Sequence, residues 1–200
     1  VVVENPSILK CAHCAWSHQD LVLVCAQCGQ PLETILSLDP FTLFGLVPTV
    51  HVSLKEIKSA YLIAQKALHP DHHVLKPDVF PFATKVSAHV NAAMRTLQCP
   101  FLRACAVIKA HAMVVNLDAF RLDGDVLDDL LALHEEAVSG DAMQREEAAA
   151  KMRSMEQRAF WGVDDAVKEK SVPDAEQHAA VLSYIVRIRK DMKKFAYANY

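Results

Sequence analysis

Two hundred residues with 52% hydrophobic content and a formal net charge of −3 supply enough apolar material for one large or two small cores. The mild negative charge offers no general attraction to nucleic acid, and no uninterrupted apolar run approaches the ~20 residues of a membrane span. The chain begins Val1-Val2-Val3-Glu4 without an initiator Met, as expected where an N-terminal targeting segment has been cut away or left out.

The first 36 residues carry two CxxC pairs, Cys11-Ala12-His13-Cys14 and Cys25-Ala26-Gln27-Cys28, with ten residues between them. Each pair can form a knuckle whose thiolates converge on one tetrahedral metal, and Gly29 lies just after the second pair, where a tight turn needs it. Disulfides or ligand-free thiols are the alternative reading. Ribbon-like spacing favours structural zinc, and iron in a rubredoxin-like site is geometrically allowed. Four thiolates close the coordination sphere, so no open catalytic position is implied. His13 and His18 are further candidate ligands, although histidines beside a knuckle are usually solvated. Zinc-type cysteines argue for a reducing compartment. Residues 1–36 are too few to fold on an apolar core alone.

Asp39-Pro40 opens a short helix predicted over 41–46. A longer one follows over 53–68, started by the capping box Ser53-Leu54-Lys55-Glu56. Its apolar residues Leu54, Ile57, Tyr61, Ala64 and Leu68 recur at helical spacing. His69-Pro70-Asp71 stops it, because Pro70 lacks an amide proton and pushes His69 out of the α region. After a loop marked by Pro77 and Pro81, a helix over about 82–98 buries Phe82, Val86, Val90, Ala93, Met94 and Leu97. Two helices so joined pack antiparallel, with the polar tripeptide exposed at their end. Lys55, Lys58 and Lys66 make the first of them moderately basic, which fits an acidic partner groove or a plain solvated face equally well. Asp71, beside Pro70 and past the helix end, has a carboxylate free to bind a cationic partner group.

Pro100 interrupts, and Phe101–Ala112 reads as an apolar helix in which Cys99 and Cys105 are small core residues. A polar linker near 116–125 leads to a stripe of Val126, Leu127, Leu130, Leu131, Leu133, Ala137 and Val138, ended by Ser139-Gly140. Asp141 caps a long helix running towards Val167. A last helix starts at Pro173-Asp174 and carries Val181, Ile185, Ile188, Met192 and Phe195. Three helices with short connections imply an antiparallel bundle. The fold class is all-α.

The capped helix, His-Pro-Asp turn and second helix resemble a J-domain, the module that docks on DnaK-type chaperones. Asp39-Pro40-Phe41-Thr42-Leu43-Phe44-Gly45-Leu46 resembles the opening of HscB-type J-proteins, which serve iron–sulfur cluster assembly. Asn91-Ala92-Ala93-Met94-Arg95-Thr96-Leu97 with Pro100 and Arg103-Ala104 is similar to a second stretch of that family, and Leu127–Glu136 to a third. The N-terminal double CxxC resembles the eukaryotic members. Beside the CxxC module at 1–36, the resemblance, over about 39–195, implies a J-domain at 37–112 and a scaffold-binding helical bundle at 119–200. It implies a co-chaperone, not an enzyme, that stimulates a DnaK-type ATPase and delivers the cluster scaffold protein to it. His69, Pro70 and Asp71 would contact the chaperone, beside Lys55, Lys58 and Lys66. Leu127, Leu131, Glu135 and Tyr184 would contact the scaffold. One zinc per chain would sit on Cys11, Cys14, Cys25 and Cys28. The implied location is the mitochondrial matrix, with the cytosol as the alternative.

The chain departs from the family pattern at Asp128, where an apolar residue is usual, at Ala106 for an aromatic, at Ala112 for a Gly, and at His72-His73. A J-protein with another client is one alternative. A zinc-ribbon nucleic-acid binder is another, but it requires a basic stripe and the Cys11–Cys28 segment adjoins only Lys10. An enzyme built on His69, Asp71, His72 and His73 lacks an evident pocket.

Overall fold

Capping chemistry sets the helix boundaries in the computed structural model, which describes residues 9–18, 23–73, 79–117 and 121–198. Among these residues there are seven α-helices and one two-stranded antiparallel ribbon, β1 (Leu9–Lys10) against β2 (Ser17–His18). The all-α expectation holds, with the ribbon confined to the CxxC module. The chain divides into two compact units, one of Val1–Val47 and Val52–Gln98, the other of Pro48–His51 and Cys99–Tyr200.

In the first unit, α1 (Pro40–Phe44) starts where the Asp39 carboxylate accepts from the Phe41 and Thr42 amides, and it ends at Gly45 in the left-handed region. Phe41, Leu43 and Phe44 are buried. Helix α2 (Leu54–Leu68) carries the expected capping box: Ser53 Oγ accepts from the Glu56 amide at 3.1 Å and Glu56 accepts from the Ser53 amide at 2.9 Å. The Ser53 hydroxyl, which donates to the Glu56 carboxylate at 2.6 Å, and then the Ser53 amide hold that carboxyl below its ordinary range. Ile57, Ala64 and Leu68 are buried, but Leu54 is exposed, because a first-turn side chain leans back past the helix start. Helix α3 (Phe80–Gln98) begins two residues earlier than the sequence predicts, since Pro81 is tolerated in a first turn whose amides lack acceptors anyway. Its buried line is Ala83, Val86, Val90, Ala93 and Leu97, with Phe82 and Met94 half-buried.

Helices α2 and α3 pack together, and α1 packs on both. A polar clamp crosses the first seam: Tyr61 Oη donates to Asn91 Oδ1 at 2.9 Å, and Gln65 Nε2 donates to Tyr61 Oη and Asn91 Oδ1 at 2.9 and 2.7 Å. His89 Nε2 reaches the Leu38 carbonyl at 3.1 Å.

The second unit contains α4 (Pro100–Ala110), α5 (Gly124–Ser139), α6 (Ala142–Glu169) and α7 (Val172–Ala198). Helix α4, placed by the sequence in the 37–112 segment, packs on α7 and α6. The reason is its buried Ala104, Val107 and Ile108, together with Arg103, whose guanidinium lies 5.2 Å over the Phe160 ring of α6. Glu156 of α6 also faces Arg189 of α7 in a two-bond pair at 2.7 and 2.9 Å. The close α6–α7 crossing needs Gly162, because a Cβ there would fall 2.1 Å from the His178 ring. Helix α7 buries Ala175, Ala179, Leu182, Ile185 and Ile188, a wider face than the expected stripe, since α4, α5 and α6 all pack against it. The Phe195 side chain lies outside the described residues.

Helix α4 ends in a Schellman turn: the Met113 amide donates to the Ile108 carbonyl at 3.2 Å and the Ala112 amide to Lys109 at 3.0 Å. That turn puts Ala112 at φ +57°, a left-handed conformation that strains a Cβ. The structure thus gives the reason a Gly is the usual residue here. Ala112→Gly should stabilise the second unit by about 0.5–1 kcal/mol, read as a higher denaturation midpoint with an unchanged slope.

Candidate functional site

Three sites assemble from the residues singled out by the sequence. The first is the end of α2. Leu68 is buried, His69 turns extended at φ −65°, ψ 132°, and Pro70–His73 form a 3-10 turn. His69 Nδ1 accepts from the Asp71 amide at 3.3 Å when the ring is neutral. When protonated, the same nitrogen faces Asp71 Oδ2 at 3.4 Å. The Asp71 carboxylate is 77% exposed, so the turn orients it while leaving it open to a partner. Lys55, Lys58 and Lys66 are all exposed on α2. The side chains of His72 and His73 lie outside the described residues, as does that of His18. Sequence reasoning missed the Tyr61–Gln65–Asn91 clamp that fixes α2 against α3. An Asn and a Gln among apolar helix residues were its available signal.

The second site is the CxxC module, built from two copies of one turn. The Cys11 amide donates to the Trp16 carbonyl and the Cys25 amide to Gln30, each at 2.8 Å; Ala15 and Gly29 donate back to the Cys11 and Cys25 carbonyls, also at 2.8 Å. Ala15 and Gly29 occupy the same left-handed position, at φ 57° and 70°. Gly29 was legible; Ala15 hid its equivalent role. The turns bring Cys11, Cys14, Cys25 and Cys28 together with all Sγ atoms within 4.8 Å of one another. Cys11–Cys28 and Cys14–Cys25 are each 3.6 Å apart, and none of the four is in a disulfide. A disulfide requires about 2.05 Å, whereas thiolates ~2.3 Å from a tetrahedral ion lie ~3.8 Å from one another. The donor set and its spacing therefore fit a metal. Burial pushes the Cys28 thiol up to about 12. At Cys14 a backbone hydrogen bond at Trp16 pulls down, but desolvation and the neighbouring thiols leave it raised. A metal must displace the protons of these thiols to bind, so metal uptake strengthens as pH rises. His13 is exposed.

The third site lies on the helical unit. Leu127 and Tyr184 are half-buried and line one groove of about 340 Å³ with Phe101, Leu117, Leu122 and Ala180. Leu131 is 54% exposed and Glu135 is exposed. Residues 127, 131 and 135 are successive steps of four, on one face of α5. The expected α5 stripe therefore splits: Leu130, Leu133, Ala137 and Val138 form the buried seam, while Leu127 and Leu131 flank it. Asp128 is exposed. Cys99 and Cys105, read as core, are half-buried; burial pushes the Cys105 thiol up to about 11.

No family model matches the chain. A co-chaperone protein HscB homolog of Haemophilus ducreyi is 32% identical over 115 residues, covering 56% of this chain and 66% of that protein. An iron–sulfur cluster co-chaperone protein HscB homolog of Arabidopsis thaliana is 31% identical over 123 residues, covering 60% of this chain and 48% of that protein. The chain belongs to the HscB family. Its matches span from about half to about two thirds of the length of these curated relatives. The crystal structure of human co-chaperone protein HscB shares the fold, with a TM-score of 0.76 at 19% identity, over 92% of this chain and 97% of that one. The shared fold thus spans most of the chain described above.

Replacing Cys11→Ser together with Cys14→Ser should release about one metal ion per chain, measured by elemental analysis. The helical circular dichroism of residues 39–200 should persist. In the wild type, a chelator should strip the metal at lower concentration as the pH is lowered, since protons compete for the same sulfurs.

Proposed function

We propose that the chain is a J-domain co-chaperone of iron–sulfur cluster assembly. It stimulates ATP hydrolysis by a DnaK-type chaperone through the α2–α3 hairpin, within residues 52–98, and delivers a cluster scaffold protein held on residues 119–200. It carries out no chemistry of its own. The observation that carries this reading is the exposed His69-Pro70-Asp71 turn at the end of α2, with Asp71 oriented and open to a cationic group. Membership in a family whose relatives are named as co-chaperones supports it.

The scaffold surface is the α5 face of Leu127, Leu131 and Glu135 with Tyr184 of α7. Its support is the shared groove of Leu127 and Tyr184 and the exposure of Leu131 and Glu135. The module holds zinc: four soft thiolates at tetrahedral spacing suit that ion and close its coordination sphere, which makes the role structural. The chain works in a reducing compartment, the mitochondrial matrix, where a four-cysteine metal site is retained. Nucleic acid and membranes are not its partners. Among the described residues no helix is long and apolar enough to cross a membrane.

Asp71→Ala should abolish stimulation of the partner's single-turnover ATP hydrolysis and leave helix content and metal unchanged. Wild-type stimulation by that variant would overturn the reading. Leu131→Ala with Glu135→Ala should weaken scaffold capture at least severalfold in a binding titration. The melting temperature should barely move, since exposed positions usually change stability by less than about 0.5 kcal/mol. A large fall in melting temperature would place these residues in the core instead.

A further inference from the structure

The solvent face of α2 is not an ordinary polar face. Leu54, Lys58, Leu62 and Lys66 are successive steps of four, so they form one row of alternating leucine and lysine about 18 Å long. Leu54 is 62% exposed, Leu62 56%, and the adjacent Ile63 70%. The row is continuous with apolar surface beyond it. Ile63 and Lys55 border a groove of about 680 Å³ between α1 and α2, floored by Leu43, Phe44 and Ala64. Helical periodicity would place polar residues at 62 and 63, because Ile57, Ala64 and Leu68 already supply the buried face. Nothing in the core requires a leucine and an isoleucine there.

The charges on the Leu54-Lys58-Leu62-Lys66 row have one sign, while Glu56 lines the groove beside Lys55. Among the described residues Lys55, Lys58 and Lys66 make no ion pair, and the helix's acidic residue, Glu56, is committed to the capping box through Ser53. In a chain of net charge −3, this is a local basic surface with apolar side chains set between the charges. The row ends one turn before the exposed His69-Pro70-Asp71 turn.

We infer that Leu62 and Ile63 are apolar anchors of the chaperone-docking face, and that the partner offers them an acidic surface with an apolar floor. This inference rests on the proposed co-chaperone reading. The lysines steer and set register, and their share of the affinity is screened by salt. The two anchors supply the share that salt does not remove, by burying exposed apolar surface. An anionic membrane is the competing occupant of a basic, apolar face, but three exposed apolar residues on a helix whose other face is core give it little to insert.

The experiment uses the full chain and a purified DnaK-type chaperone whose ATPase the wild type stimulates. Leu62→Ala with Ile63→Ala should raise the half-stimulating concentration about tenfold and leave maximal stimulation at saturation unchanged. The effect should persist at high salt. Lys58→Ala with Lys66→Ala should instead lose its effect as salt is raised. Unchanged half-stimulation by the Leu62/Ile63 variant would overturn the anchors, while Asp71→Ala in the same assay reports separately on the co-chaperone reading. Vesicles of phosphatidylcholine and phosphatidylserine should not bind the chain in a sedimentation assay. Binding that Leu62→Ala with Ile63→Ala abolishes would assign the face to membrane and overturn the proposal.

Discussion

Leu68 is fully buried one residue before a proline-enforced stop. That pairing of an anchored last turn with an obligatory chain reversal fixes the rest of the first unit. A helix end is normally its least ordered part, because its last carbonyls lack intrahelical donors. Here the buried leucine pins the end against the unit's core, so the His-Pro-Asp turn begins from a rigid point. The Tyr61–Gln65–Asn91 clamp adds a second constraint. Apolar seams tolerate sliding, whereas three hydrogen bonds among a phenol and two amides are satisfied in one register of α2 against α3. Asp71 is therefore presented by the helix, with the His69 ring beside it, and not by a freely moving loop.

Elements were legible where local chemistry alone decides them. The capping box at Ser53–Glu56, the Asp39 and Asp141 caps and the Pro70 stop all act within four residues, and each appears as the sequence predicts. The two knuckles were legible for the same reason, since CxxC spacing is itself the turn. What the sequence hid depends on long-range packing. Apolar periodicity put Leu54 with the core and ran Leu131 in one stripe with buried residues, yet a stripe wider than one contact face must leave some members outside. Which members is set by how many helices pack on the element. The same effect widened the buried face of α7, which packs against three neighbours. The assignment of α4 to the 37–112 segment followed chain order, while Arg103, Ala104, Val107 and Ile108 direct that helix to α6 and α7.

Two positive-φ alanines, Ala15 and Ala112, show a related limit. Left-handed positions announce themselves when glycine fills them, as at Gly29 and Gly45, and are silent when alanine does. In both alanine cases the turn is held by paired backbone hydrogen bonds, which offset the local strain. The structure recovers what residue identity conceals: the two knuckles are copies of one another, and α4 ends in the same left-handed manner as α1.

The metal module and the helical cores rest on different physics. The buried cluster of the module holds Cys11, Cys25 and Leu32 with Cys28 packed against it, too little apolar surface to offset the entropy of ordering its turns. A metal held by the four sulfurs would supply the missing stability. The helical elements bury long apolar rows and need no such staple. An ion lost from the four sulfurs would act first on the knuckles and the exposed Trp16, and through the cleft that Cys11 and Ala12 share with Val79 and Phe82 on the start of α3.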